Sequence, residues 1–234
     1  MFEKNYTLEA VQIRERSILR NVYIWMSLGL ALTGIVAVGV GTNPRLVYAL
    51  VSNPLLFFGL IIGQLGLVFY LSARIQSMSA GAATVSFATY AALNGITLSL
   101  IFLAYTGTSI ASAFFITAGT FAAMSVYALT TKRDLSGLGH YLRMTLIGLI
   151  IASLVNMFLR SSGMEWMISV VGILLFVGLT AYDTQIIKGW NQQAAYTSDE
   201  SIFIRISIIG ALKLYLDFIN LFLFFLRFMG RSRD

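Results

Sequence analysis

Two carboxylates stand where carboxylates are costly. Asp183 lies in Leu179-Thr-Ala-Tyr-Asp-Thr-Gln185, and Asp217 in Leu212-Lys-Leu-Tyr-Leu-Asp-Phe-Ile-Asn220, both within stretches apolar enough to cross a bilayer. An ionised side chain at mid-membrane costs roughly 2.5–3.5 kcal/mol on insertion scales, so an intramembrane carboxylate calls for a functional explanation. Lys213 precedes Asp217 by four residues and Asn220 follows it by three, which sets all three on one helix face. Brought together in low dielectric, two carboxylates do not both ionise cheaply; one keeps a proton and the pair titrates as a unit. Sharing a proton, such a pair would clasp two helices. Doubly ionised, it would repel itself and attract a cation, and carboxylates with an amide oxygen such as that of Asn220 suit Ca²⁺.

Blander readings stand beside this one. Lys213 can snorkel to the surface along its aliphatic stem, Asp217 can serve as its i,i+4 partner, and Asp183 can be hydrated near an interface. Gln64, Asn94 and Asn156 read as interhelical hydrogen-bond glue, and Gly59-Leu-Ile-Ile-Gly63 and Ser79-Ala-Gly-Ala-Ala83 as small-residue packing steps. The aromatic residues read as lipid-facing and interfacial material.

Other chemistry is excluded by what the chain lacks. It has no cysteine, which removes thiol catalysis, thiolate metal sites and disulfides. Its one histidine, His140, sits beside Gly139 in loop-like sequence and leaves no histidine relay or multi-histidine metal centre. No glycine step is followed by the Lys-Ser/Thr of a phosphate loop. The chain therefore reads as neither an enzyme nor the holder of a cofactor.

The elements that must carry these residues follow from composition. Of the 234 residues 58% are hydrophobic and 11% charged; a soluble domain carries about 25% charged residues. A helix needs roughly 20 apolar residues to span the hydrocarbon. Charge-free stretches predict spans near 22–42, 55–73, 80–104, 110–130, 142–159, 166–187 and 204–226, with Pro54 opening the second and a turn at Tyr105–Ser109. The run Lys132-Arg133-Asp134-Leu135-Ser136-Gly137 has loop chemistry. The expected architecture is an all-α polytopic membrane protein: a cytoplasmic tail over 1–20, a seven-helix domain over 21–228 and a short basic tail over 229–234.

The formal net charge of +6 is a topology signal, not a nucleic-acid one. With the N-terminus inside, the inner segments hold Lys4, Arg14, Arg16, Arg20, Arg74, Lys132, Arg133, Arg143, Lys188 and Arg205, and the outer loops only Arg45 and Arg160. Seven full crossings put Arg227, Arg231 and Arg233 outside; a re-entrant last segment keeps them inside. No signal peptide is evident, because residues 1–20 mix acids and bases.

Ala181-Tyr-Asp-Thr-Gln185, Leu214-Tyr-Leu-Asp-Phe-Ile-Asn-Leu-Phe222 and Thr131-Lys-Arg-Asp-Leu135 resemble signatures of the Bax inhibitor-1 family, specifically its bacterial inner-membrane branch. The resemblance covers the chain from about residue 20. It implies seven helices with the last one central, and a pH-dependent calcium leak gated by two aspartates, here Asp183 and Asp217. It further implies an arginine partner at the end of the second span, for which Arg74 is the candidate by position. Lys213 departs from the signature; an ammonium beside Asp217 would favour its ionised form.

A second reading is an integral membrane regulator that restrains a partner such as an ATP-dependent membrane protease, a role the resemblance also implies, with residues 1–20 as its recruitment handle. A third, a retinal protein with Lys213 as the attachment point, fails because the third span offers no carboxylate as counter-ion.

Overall fold

In the computed structural model the described residues are 8–75, 77–194 and 200–231, with side chains described from residue 18 onward except over 191–201. In chain order the helices among them are α1 (Leu8–Gly41), α2 (Pro44–Ser52), α3 (Pro54–Arg74), α4 (Ala80–Leu98), α5 (Ile101–Ala104), α6 (Gly107–Thr130), α7 (Leu138–Leu159), α8 (Ser162–Ala194) and α9 (Glu200–Met229). No strand occurs among the described residues. Seven stretches are long and apolar enough to cross a membrane: Ile18–Gly41, Pro54–Arg74, Ala80–Ala104, Gly107–Thr130, Leu138–Leu159, Ser162–Trp190 and Ile202–Met229. These are the seven spans expected from the charge-free stretches. The helix carrying the first begins upstream of it, since α1 runs unbroken through residue 20.

Local chemistry sets the ends. Asn53 accepts the Leu56 amide and Pro54 opens α3, so the missing proline N–H falls where a helix has no use for it. Asn43 and Pro44 start α2 in the same way. Ser79 caps α4 and Thr106 caps α6. α7 ends on Arg160 in the left-handed region, φ 51°, a conformation usually left to glycine or asparagine. Helix α2 was not expected from the sequence: its Leu50 is buried while Leu46, Tyr48 and Val51 stay exposed.

The chain divides into two compact units, Met1–Ala104 with Lys188–Tyr215, and Tyr105–Ile187 with Leu216–Asp234. In the first, the Thr33 hydroxyl binds both the Ala91 carbonyl (2.8 Å) and the Tyr215 hydroxyl (2.7 Å). Phe87 and Tyr90 meet the Tyr215 ring edge-on. A Cβ on Gly95 would lie 2.7 Å from the Thr33 carbonyl oxygen, so α1 and α4 approach to backbone contact there. Gln64 donates to the Leu93 carbonyl (2.7 Å) and to the Thr97 hydroxyl (3.0 Å), joining α3 to α4 as expected.

Other small and polar residues behave differently from their sequence reading. Gly59 and Gly63 face open space, because α3 is among the least enclosed spans. Asn156 accepts the Ser161 amide and closes its own helix end instead of joining helices. Asn94 is buried, but its Nδ2 has no hydrogen-bond partner among the described residues.

In the second unit Gly172 lies beneath the Phe224 ring, and Phe176 stacks on that ring at 5.7 Å. Phe218 is held edge-on between Phe114 and Phe121. The end of α9 meets the starts of α6 and α8: the Arg231 amide binds the Ser109 hydroxyl (3.0 Å), Thr106 donates to the Arg231 carbonyl (3.4 Å), and Arg227 faces Glu165 at 4.0 Å. Its 28-residue span is about 42 Å long. That contact pattern makes the last segment a full crossing, not a re-entrant one, and sets its end at the level of the 105–107 and 159–162 connections, opposite the 131–137 loop. Arg233 lies outside the described residues.

Candidate functional site

The second unit carries both aspartates. Its helices are apolar on the whole, so each buried polar atom stands out. Asp183 in α8 is 6% exposed and Asp217 in α9 is 4% exposed. Among the described residues they are the only buried members of the Asp, Glu, Lys and Arg set. Burial of Asp217 follows from its helix: in α9, 61% of the most apolar stretch is enclosed, the highest share of the seven spans. Leu214, Tyr215, Phe218, Leu221 and Phe222 around Asp217 are buried as well. Thr180 and Thr184 flank Asp183, also buried.

Hydroxyls extend this polar content. Thr117 and Thr180 spend their protons on carbonyls one turn back. Ser125 Oγ in α6 and Thr184 Oγ1 in α8 are buried with no partner among the described residues. Buried polar atoms are almost always satisfied by protein or water, so these two hydroxyls stand out among the polar groups of the unit.

The other nominated residues stand apart from this burial. Asn220 is half-buried and its Nδ2 is bound to the Leu216 carbonyl at 2.8 Å, within its own helix. Lys213, half-buried, holds its ammonium 5.9 Å from the centre of the Trp190 ring, a cation–π distance. Arg74 is exposed in the last turn of α3. Lys213 and Arg74 belong to the first unit, Asn220 to the second.

One set of contacts beside Asp183 was not read from the sequence. Gln185 Oε1 accepts the Leu135 amide (2.7 Å), and its Nε2 donates to the Arg133 carbonyl (2.9 Å). The side-chain amide thus pairs with the 131–137 loop as a strand neighbour would. Leu135 is buried with Ala181 and Ala128, and Gly139 lies under the Tyr182 phenol, leaving no room for a Cβ. Residues 181 and 185 therefore hold the loop, and residue 182 the start of α7, against α8 on either side of Asp183. Gln185 and the loop both fall in motifs that carry the family resemblance; an amide near the end of an apolar stretch, needing partners for both its atoms, is the available signal. No cluster of three or more His, Cys, Asp or Glu that could hold a resident metal is found among the described residues.

Seven apolar spans and buried intramembrane polar groups define a multi-pass helical membrane protein. Residues 15–234 match the family described as "Inhibitor of apoptosis-promoting Bax1". The chain is 52% identical over 215 residues to the inner membrane protein YbhL of Escherichia coli K12, covering 92% of each. It is 46% identical over 216 residues to a protein of Borreliella burgdorferi, again 92% of each, and 42% identical over 188 residues to a membrane protein of Streptococcus pyogenes, 80% of each. The chain belongs to the Bax inhibitor-1 family, and it is a multi-pass inner-membrane protein in contact with the lipid bilayer.

Proposed function

We propose that this protein is a pH-sensitive cation leak, permeable to Ca²⁺, whose gate is the pair Asp183 and Asp217. The observation that carries the reading is their burial: two carboxylates, alone of the strongly charged side chains described, are enclosed in one unit on adjacent helices of the chain. Packing gives no reason to enclose them, since hydrophobic residues of similar size would cost nothing to insert.

The mechanism rests on charge. With one proton shared, the pair is held together and carries a single charge. As pH rises and the proton leaves, two like charges in low dielectric separate and recruit a cation, for which carboxylate and hydroxyl oxygens are suitable ligands. Ser125 and Thr184 supply further buried hydroxyl oxygens in the same unit, and Asn220 follows Asp217 by three residues on α9. No resident cofactor is called for, because Ca²⁺ is the cargo.

The test is Ca²⁺ entry into dye-loaded proteoliposomes followed across about pH 5 to 8, because two coupled carboxylates give up their protons as a pair. Flux should rise with pH, and Asp183→Asn and Asp217→Asn should each flatten the profile. A flux indifferent to both substitutions would reduce the aspartates to structural groups. Absence of flux from folded, inserted protein would transfer the argument to a regulator of a membrane protease, with residues 1–20 as the handle; residues 1–7 of that handle, and the side chains of 8–17, lie outside the described residues.

A further inference from the structure

We propose that the inner end of the second unit binds an anionic phospholipid, with Lys132 and Arg133 as ligands for its phosphate and the exposed flank of α7 as the track for its acyl chains.

A basic loop that serves only to orient a membrane protein has no need of fixed geometry, because orientation depends on charge count alone. The loop 131–137 is fixed. Gln185 grips its backbone at Arg133 and Leu135, the Arg133 amide binds the Thr131 hydroxyl (3.2 Å), and the Leu135 side chain is buried in the unit. Its one acid is occupied: Asp134 accepts the Ser136 amide (2.8 Å) with one oxygen and the Ser136 hydroxyl (3.0 Å) with the other. What remains facing outward is an adjacent ammonium and guanidinium, Lys132 and Arg133, both exposed. Two neighbouring cations on a fixed backbone, one of them a planar fork, match a phosphate diester, and only their side chains have freedom left to lose on binding it. Nearby, at the start of α7, His140 and Arg143 are also exposed, and Arg143 donates its Nε–H to the Gly139 carbonyl (3.0 Å).

The second half of the argument is apolar. α7 is the least enclosed of the seven spans, with 6% of its most apolar stretch buried. From the loop outward it exposes Tyr141, Met144, Ile151, Val155 and Phe158, which fall within about 100° of one another around the helix axis and so share one flank. A soluble anion would use the cations and ignore this flank; a phospholipid uses both, with the Tyr141 ring at headgroup depth. The inner leaflet is the side on which anionic lipid attracts basic segments.

The experiment uses the full-length protein in neutral detergent, with phosphatidylglycerol, phosphatidylcholine and free glycerol phosphate as probes, and reads retained lipid by native mass spectrometry. Wild type should retain phosphatidylglycerol over phosphatidylcholine, and free glycerol phosphate should not displace it. The double variant Lys132→Gln/Arg133→Gln should lose about tenfold or more of that preference. Arg45→Gln/Arg160→Gln, an equal change of charge at the other end, should keep it. Gln185→Ala leaves every charge in place and should weaken retention several-fold by loosening the loop. The proposal is overturned if the Lys132/Arg133 variant retains the lipid like wild type, or if the Arg45/Arg160 variant loses as much. Displacement by glycerol phosphate at equal concentration would overturn it in favour of a soluble anion.

Discussion

The hydroxyls of Thr33 and Tyr215 meet at 2.7 Å across 182 positions of sequence, in the buried centre of the first unit. Thr33 also reaches the Ala91 carbonyl, so one small side chain of α1 ties together α4 and α9. Hydrogen bonds between membrane helices contribute on the order of 1 kcal/mol, because the unfolded helix finds other partners in the bilayer. Tyr215→Phe, which keeps the edge-on contacts with Phe87 and Tyr90, should therefore lower the unfolding free energy by about 1 kcal/mol. Tyr215→Ala empties a fully buried site and should cost about 3–5 kcal/mol. Denaturant titration in detergent measures both; equal losses would mean that the ring contributes nothing beyond its hydroxyl.

Gly95 and Gly63 make a second contrast. A Cβ on Gly95 would stand 2.7 Å from both the Thr33 carbonyl oxygen and Val36 Cβ, atoms that move only with the α1 backbone. Gly95→Ala should destabilise by about 1–3 kcal/mol. Gly63 has nothing within 4 Å, and Gly63→Ala should change stability by no more than about 1 kcal/mol, in the favourable direction. Thermal unfolding of the two variants in one detergent decides it, and a destabilised Gly63→Ala would reveal a partner helix against α3.

This pair of glycines shows where the sequence is legible. Span number and extent follow from counting apolar residues against bilayer thickness, and Pro54 marks a helix start wherever it occurs, because its constraint is local. A Gly-x-x-x-Gly step carries no information about whether a neighbour is present. Gly59 and Gly63 matched the pattern and leave open space where a Cβ would stand; Gly95, outside any Gly-x-x-x-Gly step, lies against the α1 backbone. The same divide runs through the site. Burial of Asp183 and Asp217 was foreseeable from insertion cost. The grip of Gln185 on the loop was not, since it joins positions 50 and 52 residues apart through backbone groups that every residue type presents. Helix α2 escaped because nine residues between two spans look like a loop to any count of apolar length.

Asp134 sets a pH limit on that loop. Hydrogen bonds from the Ser136 amide and hydroxyl favour its charged form and hold its carboxyl below the usual value. A carboxylate whose folded value is depressed stabilises the turn above its unfolded value, about 3.9, and the stabilisation fades as pH falls through the lower folded value. Hydrogen exchange of residues 131–138, corrected for intrinsic rates, should show constant protection from neutral pH down to about 5 and a decline below about 4. Asp134→Ala should remove that protection at neutral pH. Protection unchanged in the variant would mean that Gln185 alone holds the loop.

The direction of the last helix gives the sharpest topological prediction. Arg231 touches Ser109 and Arg227 faces Glu165, so the end of α9 shares a level with the starts of α6 and α8 and lies a full span away from Ser136. That places arginines on the side the positive-inside bias disfavours, a local exception outvoted by the basic residues of the other segments. The chain has no cysteine, so single introduced thiols report without background. In intact cells a membrane-impermeant maleimide should label Arg231→Cys and leave Ser136→Cys untouched until the membrane is opened. Labelling of Arg231→Cys only after opening would make the last segment re-entrant. It would also separate Arg231 from Ser109, which the hydrogen bond between them does not allow.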